Sequence, residues 1–289
     1  MQTVKNLYER MIKAMGLEET GLPVTFVKLY KNDSIIPKEI FEYHPDEVSL
    51  TSCQATKQAS LGDAVCLTRD NIGCIAAAIT FGLVDQNEDK PLERPRVYTE
   101  IMRGQFKQKE KFIPPSPADF TEGRVYACNA SGHKEFCLFG EEDSGRFKDV
   151  ETAKQAIKEM TAIQPAVTKA VFFYSTSFDV IEIIPDVIVF NIRPVELTKI
   201  VQAYQYITGR RIHGNMGGLR AVNSDLIVRP YLTKEINVSS YCLGSRIIAS
   251  YEANRLGIGI PYNSFVEIVM GMEESKTGYP FHLYPGAIS

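Results

Sequence analysis

The chain has no tryptophan and only four histidines among its 289 residues. His44, His133, His213 and His282 are never three or four residues apart, so a multi-histidine metal site is not expected. No CxxC pair occurs, which argues against a structural zinc site. Missing too are a GxxxxGK(S/T) phosphate loop, a GxGxxG turn after a strand, a GxSxG elbow and an HExxH pair. The chain lacks a basic surplus: 32 Lys and Arg face 35 Asp and Glu, for a net charge of −3. A nucleic-acid partner is therefore not expected. No apolar run reaches the roughly 18 residues of a membrane span. The opening "MQTVKNLYERMIKAMG" lacks the apolar centre of a signal peptide. These absences point to a cytoplasmic protein without a membrane partner. In a reducing compartment its six cysteines are expected as thiols rather than disulfides.

What is present suits a sizeable core, since 44% of residues are hydrophobic. Val4, Leu7, Tyr8, Met11, Ile12 and Met15 repeat at helical spacing, and Gly16 suits a stop. "VTFVKLY" after Pro23 reads as a strand. "IPKEIFEYHPDEV" is loop-like. "CQATKQASLG" reads as a helix with Ser52 as cap and Gly62 as terminator. "AVCLT" predicts a short strand and "CIAAAITFGL" a buried helix. "VYTEIMRGQF" reads as helical. "DVETAKQAIKEMTAI" predicts a helix, and "KAVFFYST" and "VIEIIP" predict strands. "PDVIVFNIRPVELTKIVQAYQYITG" is the clearest unit. Its strand ends near Ile192, Pro194 sits at a first helical position, and Gly209 closes the helix. Leu197, Ile200, Val201, Tyr204 and Ile207 form that helix's apolar stripe. "HGNMGGLR" reads as a glycine-rich turn. Pro261 opens a last helix with Phe265, Ile268, Val269 and Met272 on one face. The expected fold is α/β in the mixed α+β sense, one compact unit over residues 1–289, with 1–150 and 151–289 as its finer lobes.

The cysteines carry the chemistry. Cys53 follows Ser52 at one expected helix start, and Cys74 follows Gly73 at another. A helix start offers unpaired N–H groups and the positive end of the dipole, which favour thiolate. The same groups suit sulfur ligands of an iron–sulfur cluster. Cys242, in "SYCLGSR", stands before a glycine turn where N–H groups can face sulfur. Cys66 lies in an apolar strand pattern and reads as core filler. Cys128 and Cys137 flank "NASGHKEF" in a loop or hairpin, consistent with two turns facing one site or with no site.

Six segments resemble, in order, the domain of unknown function 169 family of archaea and anaerobic bacteria. They are "GLPVTFVKLY", "SCQATKQASLGD", "GCIAAAITFGL", "GRFKDVETAKQAIKEM", "IPDVIVFNIRPVELTKIVQAYQYITG" and "CLGSRIIASYEANRLGIGIP". The resemblance implies cysteines at the positions of Cys53, Cys74 and Cys242, and one more before the "DLIV" segment. This chain has Val222 and Asn223 there, which leaves Cys128 or Cys137 as a substitute.

Three expectations follow. In the first, Cys53, Cys74 and Cys242, with Cys137 or Cys128, ligate a 4Fe–4S cluster with a redox or Lewis-acid role toward a small molecule or redox partner. In the second, Cys53 is a metal-free nucleophile beside a cation such as Arg246 or Lys57. In the third, the chain is a non-catalytic small-molecule binder with Gly217, Gly218 and Gly244 on a pocket rim. Arg246 and Gly244 are the cofactor-contact candidates, and Arg220 is a further cation of interest. The tail "GYPFHLYPGAIS" leaves room for a homo-oligomer.

Overall fold

A computed structural model describes residues 3–45, 49–92, 115–128 and 145–275. In chain order the elements are α1 (Val4–Met15), β1 (Val24–Lys31), α2 (Lys38–Phe41), α3 (Ser52–Ser60), β2 (Val65–Leu67) and α4 (Ile75–Thr80). They continue with α5 (Pro117–Thr121), α6 (Val150–Lys158), β3 (Thr168–Tyr174), β4 (Val187–Ile192) and α7 (Pro194–Thr208). A π-helix (Ala221–Val228), α8 (Arg229–Thr233), β5 (Asn237–Ser239), α9 (Leu243–Ile248), β6 (Leu256–Pro261) and α10 (Tyr262–Glu274) complete the set. The mixed α/β class is as expected. The strands form one six-stranded sheet in the order β2-β3-β1-β4-β6-β5.

Two compact units divide the chain discontinuously. The first takes residues 1–28, 56–65 and 172–289, the second residues 29–55 and 66–171. The lobe boundary expected near residue 150 falls inside the second unit.

In the first unit, β1 and β6 both pair antiparallel with β4, Val24 opposite Phe190 and Ile188 opposite Ile260. β5 extends the sheet antiparallel to β6, with Asn237 opposite Gly259. All six residues of β4 are buried, so it reads as a continuous apolar run rather than an alternation. Phe190 meets the Phe265 ring of α10 at 5.9 Å. α1 ends as expected at Gly16, whose φ of 67° is left-handed. Its last turn is also held by Lys199, which is fully buried in α7 and donates from Nζ to the Met15 carbonyl at 3.0 Å. Burial holds the Lys199 ammonium below its ordinary pKa, against the pull of Glu196. The buried face of α7 is thus Glu196, Lys199, Ile200, Ala203 and Tyr204, a more polar stripe than its apolar spacing suggests.

The π-helix is among the elements that the sequence reading missed, with α2, α5, α8, β5, α9 and β6. All eight residues of "AVNSDLIV" are buried, so no amphipathic period marks them. It rests on β6 at a glycine. A Cβ at Gly259 would stand 1.9 Å from the Leu226 carbonyl oxygen.

In the second unit, all six residues of α4 are buried. The loop after it is fixed by main-chain bonds, Ile163 N to Thr80 O at 2.9 Å and Thr168 N to Gly82 O at 3.1 Å. α5 opens with a capping box of Ser116 and Asp119.

Three local expectations change. The loop-like stretch after Ile36 contains α2. "VIEIIP" is irregular rather than a strand, with Val180 and Ile184 exposed. Ser52 lies inside α3, and the cap is Thr51, whose Oγ1 accepts from Gln54 N at 3.1 Å. The helix read in "VYTEIMRGQF" lies outside the described residues, as does Cys137.

Candidate functional site

Thr51 and Gln54 set the start of α3. Gln54 Oε1 accepts from Thr51 N and Oγ1, both at 3.0 Å, completing a reciprocal cap. Cys53 is the second residue of that helix and half-buried. Cys74 is the N-cap of α4, also half-buried, and its carbonyl accepts from Ala78 N at 2.9 Å. The chain runs into these two helices side by side. Leu50 and Ile72 form a parallel bridge, and Gly73 N donates to Leu50 O at 2.8 Å. The turn before Ile72 is fixed by buried Asn71, which accepts from Thr68 N at 2.7 Å and donates to Cys66 O at 3.0 Å. Two thiols thus follow one main-chain bridge, three residues after Leu50 and two after Ile72, each where a helix opens its N–H groups.

The other cysteines differ. Cys66 is fully buried in β2, and burial pushes its thiol up to about 12. It is core filler, as expected. Cys128 is buried. None of the five described cysteines is in a disulfide.

Cys242 belongs to the first unit, whereas Cys53 and Cys74 belong to the second. It caps α9, so the expected glycine turn is a helix start, with Gly244 as its second residue. Cys242 Sγ lies 3.2 Å from the buried Ser245 Oγ. Tyr241 before it has a φ of 67°, a strained value for a non-glycine residue. Arg246 donates to four main-chain carbonyls: Ser240 at 2.8 Å, Arg255 at 3.1 Å, Tyr251 at 3.4 Å, and Glu252. In this arrangement its guanidinium pins the loop around α9.

Glu252 is the polar centre of that loop. Its carboxylate accepts from Lys57 Nζ at 2.6 Å and from Asn191 Nδ2 at 2.8 Å. Asn191 Oδ1 in turn accepts from the Tyr241 hydroxyl at 2.9 Å. Tyr241 stacks on Tyr251 at 4.3 Å, and Lys57 lies 5.4 Å over the Tyr251 ring. Burial pushes the Glu252 carboxyl up, but the bonds from Lys57 and Asn191 outweigh it, and it falls to about 2. Of the two cations proposed to activate a thiol, Lys57 is bonded to Glu252 and Arg246 to main-chain carbonyls. Sequence reasoning missed this group because its members come from α3, β4 and the α9 loop, with no shared motif.

Arg220, the other cation of interest, is buried and left-handed at φ 54° before the π-helix. Among the described residues no three His, Cys, Asp or Glu side chains gather as a metal site. Nor, among them, is any helix long and apolar enough to cross a membrane. A cavity of about 200 Å³, floored by Phe26, Tyr174 and Phe178, is lined by none of Gly217, Gly218 and Gly244.

The family model of domain of unknown function 169, described as Uncharacterised ArCR, matches residues 10–271. The chain belongs to this family. A curated relative of similar sequence is an uncharacterised protein of Methanocaldococcus jannaschii, 28% identical over 132 residues. That alignment covers 46% of this chain and 55% of the relative, so the chain spans about half the length of the curated relative it matches. No solved structure matches. The family membership confirms the resemblance read from the ordered segments and brings no reaction with it.

Proposed function

We propose that the chain is a thiolate-ligated iron–sulfur protein in which Cys53 and Cys74 supply two ligands of a 4Fe–4S cluster. The observation that carries this reading is the parallel bridge between Leu50 and Ile72, which leads two half-buried thiols into neighbouring helix starts. Free main-chain N–H groups at a helix start favour thiolate over thiol. When bound, such a cluster supplies electron transfer or a Lewis-acidic iron toward a small molecule. The part of Cys53 and Cys74 is to stay deprotonated and hold their position. Remaining ligands are to be assigned among Cys128, Cys137 and Cys242 by single substitution. Iron and acid-labile sulfide, measured on protein purified without oxygen, test the reading. About four of each per chain are expected, falling sharply in Cys53→Ser and Cys74→Ser. Their absence after reconstitution overturns it.

A second reading is a metal-free thiol pair. It is favoured by the two half-buried thiols at helix starts. Its signature is iron-free protein in which Cys53 is alkylated first near neutral pH.

A further inference from the structure

The glycine-rich loop before the π-helix is tied down by three buried side chains. Asn237 Oδ1 accepts from Asn215 N at 2.8 Å, and its Nδ2 donates to Asn215 O at 2.8 Å. That amide thus copies a strand partner for one loop residue. Its Nδ2 also donates to the Asp225 carbonyl at 2.9 Å, which joins the loop to the π-helix. Asp225 Oδ2 accepts from Gly217 N at 3.2 Å and from Ser239 Oγ at 3.3 Å. Asn237 and Ser239 are fully buried and Asp225 nearly so, whereas His213 and Met216 on the loop are exposed.

We propose that residues 213–218 form a proton-latched flap, closed over the neutral Asp225 carboxyl and opening as that carboxyl ionises and is hydrated. Both closing bonds meet one oxygen, Oδ2, so a proton on Oδ1 leaves them intact. Ionisation instead leaves a buried negative charge with only two donors, and opening relieves it by admitting water. Of the elements packed against the π-helix, β4, β5 and β6 carry no titratable side chain. α8 brings Arg229 and Tyr231, and the loop brings exposed His213. Arg229 favours the charged form, as do the bonds from Gly217 and Ser239, but burial outweighs them and raises the carboxyl to about 6. The sign is fixed by linkage. The closed state binds the proton more tightly than the open one, so closure weakens as pH rises from about 4 to about 6, and no further above that.

Amide hydrogen exchange on the full chain, divided by the intrinsic rate at each pH, reads the opening constant directly. Between about pH 4.5 and 6, opening at Asn215 and Gly217 is expected to rise about tenfold per pH unit, then level off. The amide of Leu7, held by Thr3 O in α1, is the reference and should not follow. Asp225→Asn keeps an acceptor oxygen for both donors and should give a flat, low profile. If that variant does not fold, Ser239→Ala removes one donor and should move the levelling point to higher pH. A flat wild-type profile, an Asp225→Asn profile that still rises, or an unmoved levelling point in Ser239→Ala would overturn the proposal.

Discussion

At the scale of single residues, burial and hydrogen bonding sort the ionisable groups. Glu252 has a folded pKa below its ordinary 4.5, so its contribution is present above that pH and is lost as pH falls toward about 2. Its side chain is 46% exposed, which screens the pair with Lys57. Glu252→Gln is therefore expected to cost only about 0.5–1 kcal/mol at neutral pH. The difference from wild type should vanish in urea unfolding at low pH. Lys199 is the opposite case, fully buried with its charge on the end of α1. Lys199→Ala leaves a cavity and the Met15 carbonyl without this donor, and should destabilise by about 2–4 kcal/mol. Lys199→Met, which refills the volume, should recover much of that loss in the same denaturation assay. In iron-free folded protein, Cys66, with its thiol near 12, should stay unalkylated at mildly alkaline pH while the half-buried Cys53 and Cys74 label.

Whole elements depend on close approaches as much as on propensity. Gly259→Ala would drive a methyl group into the Leu226 carbonyl and lift the π-helix from β6. The expected cost is about 3 kcal/mol or more, seen as a lower urea midpoint. Removing the α3 cap by Thr51→Ala should cost about 1 kcal/mol and loosen the turn that carries Cys53. The elements legible in the sequence are those with their own punctuation. α1 has its period and Gly16, and β4–α7 has Pro194 and Gly209. The π-helix had none, because its wide turns are set by packing on Gly259 rather than by any pattern in "AVNSDLIV". "VIEIIP" misled in the other direction, β-branched and apolar yet exposed at Val180 and Ile184. The cysteines at helix starts could be read from composition. That Leu50 and Ile72 bridge the two segments leading into them could not, since a bridge between separate segments leaves no local signal.

At the scale of the molecule, neither half of the chain contains a whole unit. The first unit needs residues 1–28 and 56–65 as well as 172–289, and the second needs residues 29–55 and 66–171. Fragments 1–150 and 151–289 should therefore each lack a cooperative thermal transition. A sharp calorimetric peak from either alone would show that the lobes can stand apart.

The Leu50–Ile72 bridge also has a place in time. Both partners of the bridge and the starts of α3 and α4 lie between Leu50 and Ile75, and a ribosome delivers the N-terminal part of a chain first. The bridge can form while β4, the π-helix and β6 are still unsynthesised. Neither partner of the bridge has to wait for the central strands of the first unit.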